Sequence, residues 1–531
     1  MPRRTRLATT LTSTLAAASA ALTVGALAGP STAVAPAATT ATTASAKAAA
    51  PTVRDRCVAS VPDPGETEPV DICFTLFRPA GATKRRPVPM VMHSHGWGGS
   101  RATEVAPVSY LLDAGYAVLS FDQRGFGESG GHAQVMNPDH EGHDVRRLVR
   151  LVSRLGWVQQ DGRRDPRLGA VGGSYGGGYQ FLGAFESLRR QGTPVFDALA
   201  PEITWYDLEE SLAPEGVVRT AWAAALSAGS LPSDALPPAV YKALVEGAAT
   251  ASWPDGSQPG TEDMVTFMRK NGPKWQVRQG RRLDVPTLFG QGTTDSLFPL
   301  EQGLTNFQRA LTPRARKRSL FTAYNGGHVL PAVLPAGVSV DSDPCAQKLA
   351  GGSFDDLTVL FFDRFLKKRS RVKVPGLGRY HLATPGDRCV STRSVRATEE
   401  VDLGTVASPT AASVPIGYEI AEGPLRIAGT PYLTGTVTAL GVQNRAFYGL
   451  AVGTSPATAR LVQNNVLPFH SPDPLTGEER RIDLPSVAVD VAEGESLYLL
   501  VSAVSDTFAA MSSRVPGAVV VDDTTVHLPT R

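Results

Sequence analysis

A glycine-rich stretch around Ser174 is the part of the sequence best suited to chemistry. It reads LGAVGGSYGGGYQ from Leu168 to Gln180, and Gly172 and Gly176 flank the serine in a G-x-S-x-G pattern. An apolar run precedes it and a helical pattern follows, which is the context in which this motif holds a nucleophilic serine in a tight turn. Glycine is expected on both sides because a side chain there would clash with the crossing backbone. The stretch lacks the Gly-Lys-Ser/Thr of a phosphate-binding loop, which excludes that function.

A nucleophilic serine requires a base, and the base requires a carboxylate that orients it. Asp295 follows an apolar run in VPTLFGQGTTDSLFP, and His328 follows the next run in RSLFTAYNGGHVLP. Both therefore come just after predicted strands, in the chain order serine, acid, histidine that accompanies the G-x-S-x-G motif. Asp284 is a rival acid, but it precedes its strand and would lie at the opposite edge of the sheet. The sequence predicts a triad of Ser174, Asp295 and His328.

The oxyanion that forms when a serine attacks a carbonyl needs two hydrogen-bond donors. One is predicted to be the backbone N–H of Tyr175, the residue after the serine. The other is predicted to be the backbone N–H of Trp97 in the loop HGWGG, which follows an early strand. His95 begins that loop and is interpreted as a structural residue at the end of the strand.

A second group of polar residues resembles a metal site in composition. It consists of His132, His140, His143, Asp139 and Asp144. Their spacing matches no established ligand motif. We therefore predict that these residues belong to a surface loop and bind no metal. The predicted acyl-transfer chemistry requires neither a metal nor an organic cofactor.

Short apolar runs alternate with helical segments from about residue 70 to residue 370. The apolar runs predict strands at Val88–His95, Tyr116–Asp122, Leu168–Gly173, Phe196–Glu202, Val285–Gln291 and Arg318–Tyr324. Such alternation is typical of a parallel α/β sheet, in which ligands bind at the carboxyl ends of the strands. Residues 205–283 interrupt it with several helical segments, which predicts a cap over that edge of the sheet.

The last part of the chain changes in character. From about residue 395 to residue 531 it consists of strand-like runs and turns, which predicts an all-β sandwich. The predicted organisation is a signal peptide over 1–46, a linker over 47–69, an α/β core over 70–204 and 284–373 with the cap between its halves, a linker over 374–394 and the β-sandwich over 395–531.

The N-terminus predicts an export signal. It begins with the basic stretch MPRRTR and continues with a small-residue-rich apolar run that has no acidic residue before Asp55. Ala44–Lys47 offers a cleavage site, and Arg3 and Arg4 make the twin-arginine route an alternative to the Sec route. The run is too weakly hydrophobic for a membrane span, so we expect a secreted protein without a membrane anchor. A net charge of +2 argues against nucleic acid as a partner. The oligomeric state is not indicated.

Four cysteines, Cys57, Cys73, Cys345 and Cys389, allow three disulfide pairings. An oxidising exterior favours disulfides, and the close C-x-x-C spacing of a metal site is absent. The compact pairing joins Cys57 to Cys73 and Cys345 to Cys389, so that each bridge closes a short loop. We expect this pairing.

The motifs SHGWGG, FDQRGFGES, GGSYGG, GTTD and GGH, followed by a β-sandwich, are similar to those of the X-prolyl dipeptidyl peptidase and cocaine esterase group. The resemblance covers most of the chain after the signal peptide. It implies an α/β-hydrolase sheet with a helical cap and a C-terminal jelly roll, and serine acyl transfer on a small-molecule or peptide substrate. Asp122 and Arg124 in the second motif are expected to be structural. The family often places a tyrosine hydroxyl in the oxyanion hole, whereas Trp97 stands in the matching loop here.

The start of the cap, ITWYDLEESL, predicts a substrate-binding group. A peptidase that releases dipeptides must hold a free α-ammonium group, and a buried cation needs a carboxylate partner. Asp207, Glu209 or Glu210 is a candidate for that role, with Trp205 and Tyr206 shaping an apolar pocket. The alternative is that these acids face solvent at a helix start, where the helix dipole favours them.

Three functions are therefore open. An X-prolyl dipeptidyl peptidase is preferred slightly, because the cap offers carboxylates for a substrate amine. A carboxylesterase acting on small acyl esters is the alternative. A non-catalytic protein that binds carbohydrate through its β-sandwich is the third candidate, because a fold alone does not decide function.

Overall fold

The computed structural model describes residues 50–250, 252–257, 259, 261–330, 338–409, 414–513 and 517–531. The predicted signal peptide over 1–46 lies outside the described residues. Residues 50–531 form one compact unit, in which an α/β sheet with a helical cap is followed by a β-sandwich.

A ten-stranded sheet forms the first part of this unit, in the spatial order β1-β2-β4-β3-β7-β8-β9-β10-β11-β12. The strands from β4 to β11 run parallel, and β1, β2 and β12 are antiparallel additions at the two edges. Strands β5 and β6 form a separate hairpin. The bounds are β1 Thr52–Ala59, β2 Asp71–Arg78, β3 Met90–Ser94, β4 Ala117–Phe121, β5 Gln160–Gly162, β6 Asp165–Pro166, β7 Leu168–Gly173, β8 Ala198–Glu202, β9 Leu288–Gly292, β10 Leu320–Tyr324, β11 Tyr380–Ala383 and β12 Cys389–Thr392.

All six strands predicted for the parallel sheet are present, with slightly different ends. They are continuous apolar runs because helices cover both faces of the sheet, as β4 shows with five consecutive buried residues. The helices in this part are α1 Ser109–Asp113, α2 Glu141–Val152, α3 Tyr175–Gln191, α9 Leu300–Thr305, α10 Pro313–Lys317, α11 Pro344–Ala350 and α12 Phe354–Phe365.

Helix α12 shows how local sequence sets an element boundary. Ser353 is its N-cap, and the Ser353 hydroxyl and the Asp356 carboxylate exchange hydrogen bonds with each other's backbone N–H. This reciprocal arrangement satisfies two backbone donors that a helix start otherwise leaves unpaired.

The interruption between β8 and β9 is helical, as predicted for residues 205–283. It contains α4 Leu208–Leu212, α5 Thr220–Ser230, α6 Pro238–Thr250, α7 Met264–Arg269 and α8 Pro273–Arg278. Apolar side chains from these helices belong to the same buried cluster as the sheet residues next to α3. The cap is therefore packed on the sheet as part of a common core.

Both predicted linkers are wrong in part. The segment 47–69 contains β1, which pairs with β2, and the segment 374–394 contains β11 and β12, which extend the sheet beyond β10. Strand β1 has a mixed polar sequence with mostly exposed side chains, so it lacks the apolar pattern that predicts a buried strand. Strands β11 and β12 are short and depend on pairing with a distant partner, which local patterning does not reveal.

The C-terminal part is a β-sandwich of antiparallel strands with its own buried core. One sheet has the order β13-β23-β16-β20, and the other has the order β14-β22-β17-β18 with β19 paired to β17. A separate pair is formed by β15 and β21. The bounds are β13 Glu399–Pro409, β14 Ile416–Glu422, β15 Leu425–Gly429, β16 Tyr432–Ala439, β17 Asn444–Gly453, β18 Arg460–Leu461, β19 Leu467–Ser471, β20 Leu475–Asp483, β21 Val487–Val491, β22 Ser496–Ser502 and β23 Ala518–Leu528.

Two disulfides join the cysteines in the expected pairing. The Cys57–Cys73 bridge connects β1 to β2, where the two residues are directly opposite each other. The Cys345–Cys389 bridge connects α11 to β12 and so ties the edge of the sheet to a helix. Among the described residues, no helix is both long enough and apolar enough to cross a bilayer.

Candidate active site

Ser174 lies in the turn between β7 and α3. Its backbone has φ 56° and ψ −120°, a conformation that L-residues rarely adopt, and its N–H donates to the carbonyl oxygen of Glu202 at 3.0 Å. Strain of this kind persists where the surroundings hold the residue in place, and it is concentrated at functional sites. The turn places the serine just beyond the carboxyl end of β7.

The flanking glycines are required by close backbone approach. A Cβ on Gly172 would lie 2.5 Å from the carbonyl oxygen of Ser94, and a Cβ on Gly176 would lie 2.3 Å from the same oxygen. Real Cβ atoms do not approach oxygen so closely, so a side chain at Gly172 would push β7 away from the end of β3, and one at Gly176 would push α3 away from it. The predicted reason for glycine at these two positions is confirmed.

Asp295 and His328 meet just beyond the ends of β9 and β10. The Nδ1 atom of His328 lies 2.7 Å from Oδ2 of Asp295, which is fully buried. The other carboxylate oxygen accepts the backbone N–H groups of Leu297 at 3.0 Å and Phe298 at 2.7 Å. A carboxylate that accepts on both oxygens has a fixed orientation, so Nδ1 of His328 carries the donated proton.

Ser174 and His328 have no mutual hydrogen bond among the described contacts, but Phe298 lies next to both. The ring of Phe298 stands edge-on to the His328 ring, with centroids 5.1 Å apart, and also lines a cavity with Ser174. Unliganded active sites often have a loose serine–histidine contact that shortens when substrate binds. Asp295 therefore contacts His328 directly, whereas Ser174 is connected to this pair through Phe298.

The two predicted oxyanion donors are next to the serine. Tyr175 is the first residue of α3, so its N–H is one of the donors that a helix start leaves unpaired. The loop with Trp97 adjoins the nucleophile, since a Cβ on Gly96 would lie 3.9 Å from Ser174 Oγ. The Trp97 indole donates to the carbonyl oxygen of Leu226 at 2.9 Å. In the described part of the chain, neither Tyr175 nor Trp97 uses its backbone N–H in a hydrogen bond to another backbone group.

The cavity next to Ser174 is small and apolar. It measures about 70 Å³, and no charged side chain is among the described residues that line it. Aromatic walls come from Trp97, Tyr175, Trp205 and Phe298. The cap supplies aliphatic walls from Leu208, Leu212, Ala223, Leu226, Val240 and Leu244.

The predicted substrate-binding residues separate into two places. Trp205 lines the Ser174 cavity, whereas Tyr206, Asp207 and Glu210 line a second cavity of about 650 Å³ between the cap and the β-sandwich. Asp207 is engaged in an ion pair with Lys274, so it is not available to a substrate amine at Ser174.

Glu209 is not among the described residues that line the Ser174 cavity. It follows Asp207 on α4, and burial together with Asp207 raises the pKa of its carboxyl. The expectation of a carboxylate in the Ser174 pocket is therefore wrong. Helix α4 turns its leucines toward the serine and the preceding Asp207 toward the β-sandwich.

Two residues of the group that resembled a metal site, His132 and Asp144, belong to an ion-pair network around Arg124 and Asp63. Arg124 is completely buried and pairs with Asp63 at 2.9 Å and Asp144 at 2.7 Å. His132 lies 3.0 Å from Asp63 through its Nδ1 atom. Within the described ranges, no three His, Cys, Asp or Glu side chains are arranged to hold a metal ion. The structural role predicted for Arg124 is confirmed, whereas the prediction of a surface loop is wrong for Asp144.

Asp122 and His95 are structural as predicted. Asp122 is fully buried and forms an ion pair with Arg101. The Nε2 atom of His95 accepts the backbone N–H of Gln123 at 3.1 Å, and burial lowers the pKa of the His95 imidazole. Together these contacts hold the loops after β3 and β4 against each other.

A known protein family matches the α/β part of the chain and its cap. Residues 69–329 match the family model described as X-Pro dipeptidyl-peptidase (S15 family), and this segment contains every motif on which the resemblance was based. Residues 69–329 therefore belong to the S15 family of serine hydrolases. Among curated proteins, an uncharacterized 31.7 kDa protein of the traX-finO intergenic region from Escherichia coli is 31% identical over 120 residues, which are 22% of this chain and 39% of that protein.

Solved structures extend the similarity to nearly the whole hydrolase. An aminopeptidase from a marine sediment Thaumarchaeota archaeon has a TM-score of 0.61 at 14% identity, over 94% of this chain and 99% of that chain. An α-amino acid ester hydrolase has a TM-score of 0.59 at 13% identity, over 90% and 97% of the two chains. A CocE/NonD family hydrolase from Staphylococcus aureus has a TM-score of 0.58 at 12% identity, over 90% and 97%. The predicted fold class, an α/β-hydrolase with a cap and a C-terminal β-sandwich, is confirmed.

Two residues that support the site of the hydrolase were not found from the sequence. Trp222 on α5 stands edge-on to the His328 ring at 5.9 Å between centroids, and its indole donates to the Ser296 hydroxyl at 3.0 Å. Asn465 of the β-sandwich donates through its amide to the carbonyl oxygen of Thr293 at 3.2 Å. The sequence offers no signal for either, because both act across long separations in the chain.

Proposed function

We propose that the hydrolase transfers an acyl group to water in two steps through Ser174, His328 and Asp295. Ser174 Oγ attacks the substrate carbonyl while Nε2 of His328 takes its proton and then delivers it to the leaving group, which departs as an alcohol or amine. Water next attacks the acyl-enzyme, gives a proton to His328, and releases the acid as Ser174 Oγ regains its proton. The 2.7 Å contact between His328 Nδ1 and buried Asp295 carries this proposal, since it leaves Nε2 free to accept.

The oxyanion is stabilised in this proposal by the backbone N–H groups of Tyr175 and Trp97. The free N–H at the start of α3 also benefits from the positive end of the helix dipole. Trp97 cannot donate a side-chain hydroxyl, and its indole N–H is already bonded to Leu226. The hydrolase would therefore use two backbone donors at this position.

The cavity at Ser174 favours an ester with a small apolar acyl group. Its walls are aliphatic and aromatic, and its volume of about 70 Å³ suits a short acyl chain better than a charged group. A substrate ammonium placed there would lose its hydration without a carboxylate partner, which is strongly unfavourable. This observation reverses the slight preference for a peptidase that the sequence of α4 suggested.

An X-prolyl dipeptidyl peptidase is the second candidate. The match of residues 69–329 to the S15 family favours it. Its substrate amine would have to reach Glu210 on α4 or Glu215 after it, both of which border the larger cavity. Proline itself would fit apolar walls such as those at Ser174.

Substrate panels distinguish these candidates. We would assay the full chain and Ser174→Ala with short-chain nitrophenyl esters, a free Xaa-Pro-nitroanilide and its N-blocked form. Ester turnover with both peptides untouched establishes the esterase, and cleavage of only the free peptide establishes the exopeptidase. Ser174→Ala should lose all but a residual rate, below about one percent of the original.

Covalent labelling tests the proposed nucleophile separately. A fluorophosphonate should label the full chain and fail to label Ser174→Ala. Absence of labelling and of turnover, together with glycan binding by the full chain, would instead favour the carbohydrate-binding candidate.

Export remains part of the proposal. Two disulfides in the described structure fit an oxidising compartment. The small-molecule or peptide substrate would accordingly be met outside the cytoplasm.

A further inference from the structure

A buried glutamate holds the segment of backbone that forms one wall of the acyl cavity. Glu141 is the first residue of α2 and is only 3% exposed. Its Oε1 accepts the backbone N–H of Gln134 at 2.6 Å, and its Oε2 accepts that of Asn137 at 2.9 Å. One carboxylate thus fixes both ends of the segment 134–137.

The two residues between those ends are strained. Val135 has φ 53° and Met136 has φ 63°. A β-branched residue in the left-handed region is a true outlier, and such strain persists only where neighbouring groups enforce it. The hydroxyl of Tyr175 contributes to the restraint, since it accepts the N–H of Met136 and donates to Oε1 of Glu141, both at 3.3 Å.

Val135 is the link between this restraint and the reaction. Its side chain lines the cavity together with Ser174, opposite walls supplied by the cap. A wall held in an unfavourable backbone conformation moves when its restraint is removed. The restraint on the wall is Glu141, which does not itself line the cavity.

We propose that Glu141 is a positioning residue that sets the acyl-chain length accepted by the hydrolase, by holding Val135 in the wall of the Ser174 cavity. The proposal rests on the proposed acyl-transfer function. An intact carboxylate keeps the cavity short, and loss of one of its two backbone hydrogen bonds lets the segment 134–137 relax and admits a longer chain.

Protonation of Glu141 should also relax the segment 134–137, as its replacement would. Three groups face it: Asp144 on α2, Arg124 in the loop after β4, and Tyr175 on α3. Burial, with a contribution from Asp144, raises the pKa of Glu141 to about 7. Protonation converts one carboxylate oxygen into a hydroxyl, which is a weaker acceptor for a backbone N–H. The relaxed wall should therefore gain population as the pH falls through about 7.

The test compares acyl-chain preference in the full-length protein. We would measure kcat and KM for nitrophenyl acetate, butyrate and octanoate with the wild type, Glu141→Gln and Val135→Gly. Glutamine keeps one acceptor but turns an NH2 group toward the other N–H, and glycine removes the wall and its strain. Both variants should raise the octanoate-to-acetate ratio of kcat/KM by about tenfold, mainly through a lower KM for octanoate.

A double variant and a matched control make the result specific. Glu141→Gln should add little to the ratio once Val135→Gly is present, because both act on one wall. Glu186→Gln removes another buried glutamate, one that pairs with Arg189 on α3, and should leave the ratio unchanged. The wild-type ratio should rise below pH 7 and that of Glu141→Gln should not, since a ratio of two substrates cancels the ionisation of the base.

An unchanged ratio in both single variants of an active protein overturns the proposal. An equal fall in kcat/KM for all three esters, accompanied by a lower Tm, also overturns it, because that pattern marks a general structural role. If the wild type shows neither turnover nor fluorophosphonate labelling, the proposed function fails first, and the role of Glu141 fails with it.

Discussion

Replacing Asp295 by asparagine should abolish the activity through the tautomer of His328. Oδ1 of Asp295 accepts two backbone N–H groups, those of Leu297 and Phe298, inside a fully buried site. The asparagine oxygen must occupy that position, so its NH2 group takes the place of Oδ2 and faces Nδ1 of His328. Nδ1 then has to accept, and the imidazole proton moves to Nε2. In that form the base cannot take a proton from Ser174.

The size of the fall in kcat depends on the free-energy cost of turning the asparagine amide the other way round. Turning the amide over would leave two buried N–H groups facing donors, at about 1–3 kcal/mol each. The wrong tautomer therefore dominates, and an asparagine in this role lowers kcat by about 10⁴ where the geometry is otherwise intact. We expect kcat to fall by about 10³ to 10⁴, which corresponds to about 4 to 5.5 kcal/mol in the activation free energy. KM should change by less than about threefold, because Asp295 does not line the substrate cavity.

The assay is hydrolysis of a short-chain nitrophenyl ester, with circular dichroism to show that the variant is folded. Asp284→Asn is the matched control, since Asp284 precedes β9 at the other end of the strand and pairs with Arg314 and Arg318 near the surface. It should keep kcat within about twofold, because partly exposed ion pairs contribute little. Retention of more than about a tenth of kcat in Asp295→Asn, or an equal loss in both variants, would refute the reasoning.

Three further predictions concern the turn, the bridges and the N-terminus. Gly176→Ala should lose fluorophosphonate labelling and about 3 kcal/mol of unfolding free energy. The control Gly81→Ala has nothing within 4 Å of the added Cβ and should retain both. Normal labelling of Gly176→Ala would contradict the packing argument. Serine at Cys345 and Cys389, which are 44 residues apart, should lower the unfolding free energy in urea by about 4 kcal/mol, and free thiols at these positions in the unreduced wild type would count against the bridge. Intact mass of the exported protein should place its first residue near Lys47, and a retained leader would disprove cleavage.

Much of the site could be predicted because its parts are local. Gly172 and Gly176 mark a turn that is specified by backbone contact within one strand–turn–helix unit, and each triad candidate follows its own strand by a few residues. Parallel strands bring their carboxyl ends to one edge, so order along the chain is enough to place these residues on the same side of the sheet. The sequence alone therefore determined the fold class, the nucleophile turn and the candidate partners.

Only the tertiary structure decided what surrounds those residues. Asp207 is paired with Lys274 of helix α8, Glu141 accepts the backbone N–H of Gln134, and β11 pairs with β10 across a long separation in the chain. None of these contacts has a fixed spacing or a periodic pattern, because the energy of an ion pair or a strand pair depends on distance in space and on burial. For this reason the sequence of α4 did not predict that the described lining of the Ser174 cavity has no carboxylate. The apolar lining, which favours the proposed esterase, depends on how the cap packs over the serine.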